Sequence, residues 1–212
     1  MKATDSELGK NMHEIGPRWL DTILFENAKF QARVDSDKLP AQRMPGTVAV
    51  ITCMDSRVNL EAIGIPQASA AGEITSPIRI IRTIGAMPES RSLVVGIFLA
   101  GIREIAIVMH TDCGCCLAYS KIDTIVSNLE NNLTEVQLLT FRESIGKPFR
   151  ENLRKWLRAF EDPREALKRE IAEIKSLPFM PQQVAIHGLL YELASGNIDL
   201  VVNGYGTNLP TS

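Results

Sequence analysis

The run Val48-Ala49-Val50-Ile51-Thr52-Cys53-Met54-Asp55-Ser56-Arg57 decides how the rest of the chain is read. Apolar, mostly β-branched residues lead straight into a thiol, a carboxylate and a guanidinium, and Pro45-Gly46 marks a turn just before them. A short apolar run of this kind reads as a strand buried on both faces, as in the middle of a parallel sheet. Its reactive residues then fall at the carboxyl end, where open α/β sheets gather their ligands. Cys53, Asp55 and Arg57 occupy alternate positions, so a continued extended backbone would turn all three to one side.

A second run, Glu104 to Gly114, repeats the pattern: apolar residues from Ile105 to Met109 end at His110 and Cys113. Two strand ends delivering Cys53, His110 and Cys113 to one place would offer two thiolates and an imidazole. That set suits zinc, and a catalytic zinc keeps its fourth position for water. One Cys or one His alone is more often a buried, inert residue. Two matching strand ends that share the whole set carry far more weight. The chain has only three His, at 13, 110 and 187, so a zinc site here must lean on thiolates.

Outward from these runs, 212 residues suffice for one domain with a single core, read as a helical arm over 1–45 and a catalytic α/β domain over 46–212. A net charge of −2 gives no reason to expect a nucleic-acid partner. The N-terminus lacks the apolar core of a signal peptide and no run reaches membrane-spanning length, so no membrane partner and a cytoplasmic location are expected. In that reducing compartment four Cys read as metal-binding or catalytic rather than disulfide-bonded.

Periodicity predicts a helix over 17–33, either on its own core or as an arm against a second subunit, then loop to 46 and irregular structure over 58–76. A strand over 78–81, a helix from Ser90 and the strand over 105–109 make a βαβ unit. A helix is expected over 115–132, and the stretch to Lys147 fits neither pattern clearly. Phe149, Leu153, Trp156, Leu157 and Phe160 form a helical stripe, and Asp162-Pro163-Arg164-Glu165 opens another helix. Strands over 184–190 and 198–202, joined by Ala194-Ser195-Gly196-Asn197, form an antiparallel hairpin at the sheet edge. His187, inside an apolar run, reads as a core histidine. The fold class is therefore α/β, a mostly parallel central sheet with flanking helices and an antiparallel edge strand.

Cys53-Met-Asp55-Ser-Arg57 with His110-Thr-Asp-Cys113-Gly114 resembles the signature of β-class carbonic anhydrases, supported by Arg82-x-x-Gly85 and by Ile186-His-Gly188 with Gly204-Tyr205. The resemblance implies Zn2+ held by Cys53, His110 and Cys113, an adjoining Asp55–Arg57 dyad, and assembly as a homodimer or higher homo-oligomer. It implies reversible hydration of carbon dioxide to bicarbonate by zinc-bound hydroxide, or hydrolysis of carbonyl sulfide or carbon disulfide at the same zinc. Thr83 stands where the family commonly has Asn. Val50 stands where a bicarbonate-inhibited subset has Trp, so that subset's pocket is not expected. On the residues themselves, Asp55 could hold a water or close the fourth zinc position, and Arg57 could grip it in a bidentate pair. Two rivals use Cys113-Gly-Cys-Cys116: a thiol oxidoreductase built on Cys-x-x-Cys, and a closed structural zinc with Cys115 or Cys116 as fourth ligand.

Overall fold

A computed structural model describes residues 17–33, 46–65 and 78–206. The chain divides into two compact units, Met1–Arg43 with Gln67–Thr75, and Met44–Pro66 with Ser76–Ser212. Of the first unit the described part is helix α1, Pro17–Arg33, which exposes Trp19, Leu20, Ile23, Leu24 and Phe25. The polar segment before it and most of the loop over 34–46 lie outside the described residues.

The second unit is built on five strands: β1 Val48–Cys53, β2 Arg79–Thr83, β3 Glu104–His110, β4 Ala185–Tyr191 and β5 Ile198–Val202. Their order across the sheet is β2-β1-β3-β4-β5, parallel except for β5, which runs antiparallel to β4. After β1 the chain goes to one side of the sheet, and after β3 it goes to the other. The carboxyl ends of β1 and β3 therefore flank the point where the connections diverge, and a crevice opens at such a point. The central strands are largely apolar because both faces are covered: Ile51, Ile105, Ile107 and Ile186 are buried.

The expected βαβ unit is present, with a local difference. The helix from Ser90 is one α-helical segment, α2 (Ser90–Val94), which widens into a π turn over Val95–Leu99. Glu89, rather than Ser90, is its cap and accepts from the Ser92 N–H. The helix expected over 115–132 is broken at Lys121 into α3 (Gly114–Ser120) and α4 (Ile122–Asn132). The ambiguous stretch becomes α5 (Glu135–Ile145), opened by a capping box between Thr134 and Gln137. The next stripe gives α6 (Phe149–Trp156); the chain then turns, and Phe160 enters the main core.

Helices α4 to α6 gather around Ile122, Val126 and Leu153, a small core separate from the main one. Helix α7 (Pro163–Lys175) starts as expected at Asp162, whose carboxylate accepts from the N–H groups of Arg164 and Glu165. It lies so close to β4 that a Cβ on Gly188 would meet Ile171 Cδ1 at 2.5 Å. A side chain here would have to displace Ile171 and Leu167.

Candidate active site

Cys53 closes β1 and His110 closes β3, and Cys113 caps α3 three residues beyond His110. The register that pairs Thr52 with Val108 sets the two strand ends side by side. All three residues are buried, at 0–3% exposure. The sulfurs of Cys53 and Cys113 lie 3.9 Å apart. One ligand atom from each of the three residues lies within 4.8 Å of the others, a group that could hold a metal ion.

His110 is already oriented for that task. Its Nδ1 faces the Thr111 carbonyl at 2.8 Å. A carbonyl can only accept, so Nδ1 carries the proton and Nε2 presents a lone pair. Nε2 is buried with no hydrogen-bond partner, which is costly for a polar atom unless something else binds it. Thr111 is itself anchored: its N–H donates to the Tyr191 carbonyl, and its hydroxyl accepts from the Leu193 N–H. Interaction with Cys113 and burial push the Cys53 thiol up to about 11. A cation must therefore displace thiol protons to be held, as metal binding to cysteine generally requires. Two sulfurs and one imidazole nitrogen with an orphaned lone pair fit three of the four positions of a tetrahedral cation of zinc's character.

Beside this set, Arg57 grips Asp55 as a fork: Nε donates to Oδ1 at 3.0 Å and Nη2 to Oδ2 at 2.7 Å, and the Arg57 N–H adds a bond to Oδ1 at 2.9 Å. The guanidinium holds the Asp55 carboxyl well below the usual carboxylate range, at about 2. Asp55 Oδ2 lies 4.0 Å from His110 Nε2. The Asp55 carboxylate is held by Arg57 and lies outside the group formed by Cys53, His110 and Cys113.

Three further residues complete the arrangement. Arg57 also donates through Nη1 to Asp112 Oδ2 at 2.7 Å and through Nη2 to the Asp112 carbonyl at 2.9 Å. Asp112 adopts a left-handed backbone, φ 53, which Asp tolerates better than most residues. Arg82 spreads its guanidinium over the carbonyls of Cys53, Asp55 and Val58, bracing the loop that carries the dyad. Gly85, φ 60, leaves space for Cys115, whose sulfur would lie 2.7 Å from a Cβ there. Sequence reasoning singled out neither Asp112 nor Thr111. The available signal was their place inside the His-x-x-Cys turn, where a short acid can take a left-handed conformation.

Cys115 and Cys116 lie outside the ligand group, and all four Cys are free thiols. His187 is held away from the crevice: its Nδ1 accepts from the Gly204 N–H at 3.0 Å, and its ring meets Tyr205 edge-on. It is a structural histidine, as expected.

A family model described as carbonic anhydrase matches residues 48–198. A carbon disulfide hydrolase of Acidianus sp. (strain A1-3) is 31% identical over 157 residues, 68% of this chain and 72% of its own. A β-carbonic anhydrase 1 of Mycobacterium tuberculosis (strain ATCC 25618 / H37Rv) is 27% identical over 158 residues, 73% of this chain and 81% of its own. Among solved structures, β-carbonic anhydrase isoform I from Trichomonas vaginalis superposes with a TM-score of 0.67 at 26% identity, covering 88% of this chain and 98% of that one.

Proposed function

The chain belongs to the β-class carbonic anhydrase family, and from that premise we propose that it is a zinc-dependent enzyme hydrating carbon dioxide reversibly to bicarbonate. The observation that carries this reading is the buried Cys53–His110–Cys113 group with its unpartnered Nε2, set beside a carboxylate that is already ionised and gripped. Cys53, His110 and Cys113 would hold the zinc, which supplies the Lewis acidity that lowers the pKa of a coordinated water from about 15.7 to about 7.

The protein's own residues do the rest. Thr111 fixes the His110 tautomer through its carbonyl, so the imidazole offers Nε2 without a search among orientations. Asp55, ionised at all pH values well above about 2, accepts a hydrogen bond from the attacking water and directs its lone pair toward the carbon of the substrate. Arg57 keeps Asp55 charged and aimed, and its fork keeps the carboxylate from swinging onto the metal. Arg82 keeps the loop in register with β2.

A second reading, hydrolysis of carbon disulfide or carbonyl sulfide with the same residues, is favoured by the 31% identity to a carbon disulfide hydrolase. Attack on the central carbon of any linear cumulated triatomic uses the same groups, so the pocket walls decide. Exposed Met54 and Ile84 flank the dyad loop and suit an apolar substrate. Homo-oligomerisation belongs to the same proposal, supported by the five large apolar side chains that α1 leaves exposed. So does a cytoplasmic location, in keeping with four free thiols.

Stopped-flow hydration of carbon dioxide by the metal-analysed protein, run beside sulfide release from carbonyl sulfide and carbon disulfide, tests the choice. Fast hydration supports the first reading. Rapid sulfide release with negligible hydration replaces it with the second, and neither activity in zinc-loaded protein removes both.

A further inference from the structure

The seam between the α4–α6 helices and α7 holds a cationic depression that the metal crevice does not use. It has a volume of about 530 Å³ and lies between Tyr119 at the end of α3, Arg154 and Lys155 on α6, Arg158 in the turn that follows, and Arg169 on α7. That volume falls within the range of small-molecule sites, roughly 300–1,000 Å³.

Two costly features fix one of its lining residues, Arg158, from behind. The Glu170 side chain, only 2% exposed, is a buried carboxylate whose Oε1 has no hydrogen-bond partner. Arg158, which binds its other oxygen, has a left-handed backbone, φ 51. A buried acid and a non-glycine residue in that conformation each cost stability, and such features persist where the surroundings or a function hold them in place. Together they fix Arg158 into the wall, where it also meets Glu173. Arg154 is fixed differently: its Nε donates to the Tyr119 carbonyl and its guanidinium lies over the Tyr119 ring, with no partner for its Nη groups among the described residues. Among the described residues the nearest acid to Arg169 is Glu170, whose Oε1 lies 4.0 Å away. Lys155 has no ion-pair partner among the described residues.

We propose that this depression binds a phosphate group, free or as the monoester of a small molecule, with Arg154, Lys155 and Arg169 donating to its oxygens and Arg158 set behind them. Planar guanidinium forks and a mobile ammonium arriving from different elements match a tetrahedral oxyanion with several acceptors. Glu151 and Glu173 on the same wall oppose an extended polyanion such as nucleic acid, which leaves a compact ligand. The site is independent of the zinc reading.

The test is calorimetric titration of the full zinc-loaded chain at fixed ionic strength with inorganic phosphate and, separately, phenyl phosphate. Saturable binding of one per chain is expected, and the tighter of the two probes identifies the source. Arg154→Gln and Arg169→Gln should each weaken binding roughly tenfold, the loss of a charge-assisted hydrogen bond, with zinc content unchanged. Lys155→Gln should weaken it in the same direction and removes no ion pair among the described residues. Arg150→Gln, which removes a pair with Asp123 outside the depression, should leave binding unchanged. No saturable binding, or binding that survives Arg154→Gln and Arg169→Gln, overturns the proposal. So does binding lost only with the metal in Cys53→Ala.

Discussion

Cys53, His110 and Cys113 are 0–3% exposed, whereas the side chains of Arg57 and Asp112, set beside the same strand ends, are 51% and 81% exposed. The two halves of the site are therefore held by different physics. Cys53, His110 and Cys113 are placed by sheet register and buried in the main core. The Asp55–Arg57–Asp112 chain is fixed by hydrogen bonds in contact with water, where one ion pair contributes at most about 1 kcal/mol. On the proposed function, burial suits the groups that would hold the metal, and a solvated clamp suits the carboxylate that would aim the water. Disturbing the first should abolish function, and disturbing the second should grade it.

The largest effect is expected from the ligands. Cys53→Ala and His110→Ala should each lose zinc by elemental analysis and lose measurable turnover with it. Replacing Cys115 and Cys116 together should leave zinc in place, since neither belongs to the ligand group. Full zinc occupancy in both single variants, or loss in the double variant, would collapse the contrast between the two halves.

Next comes Asp55→Asn, which should keep zinc and lower turnover at least tenfold, in line with the loss of an orienting or general-base group. Asp55 has its folded pKa depressed to about 2 from an ordinary 3.8. Its ionised form therefore stabilises the protein above pH 4, and that contribution disappears as pH falls from about 4 to about 2. Chemical denaturation at pH 6 and pH 3 should show a smaller loss of stability for Asp55→Asn than for the parent chain. An equal loss would mean that Arg57 does not hold the carboxylate. Arg57→Lys should follow with a smaller decrease in turnover, because an ammonium keeps the charge but not the fork.

The buried half was legible in the sequence, and so was the clamp up to its last member, Asp112. Two apolar runs ending in Cys53 and His110 carry their own periodicity, and Asn197 with Gly196 and Ser195 announced the β4–β5 hairpin. Asp55 and Arg57 were legible because they sit two residues apart on one strand end. Asp112 and Arg82 act across the fold, through a left-handed turn and through the register that sets Cys53 opposite Thr83; Arg82-x-x-Gly85 stood out as a motif, but the bracing contacts of Arg82 and the part played by Asp112 did not. Thr134-x-x-Gln137 did carry a capping signal for α5, but its surroundings lack an apolar stripe, and α5 buries no residue completely. The break at Lys121 has no Pro or Gly to mark it.

The smallest effect sharpens the comparison most, because it separates the Asp112 carboxylate from its backbone. Arg57 meets Asp112 twice, at Oδ2 and at the main-chain carbonyl, and the residue sits at φ 53. Asp112→Asn tolerates that backbone and keeps a side-chain oxygen acceptor, so it should cost less than about threefold in turnover, in keeping with one exposed ion pair. Asp112→Gly also tolerates the backbone but deletes the acceptor, leaving Arg57 only the carbonyl; its loss should be larger than that of Asn. Asp112→Ala adds backbone strain of about 1–2 kcal/mol to the same deletion and should also lower the melting temperature. The order Asn, Gly, Ala in turnover, at constant zinc content and with KM little changed, is the signature of a residue acting through Arg57. Equal activity in all three would make the second Arg57 contact incidental, and zinc loss in the Gly variant would place Asp112 with the buried half instead.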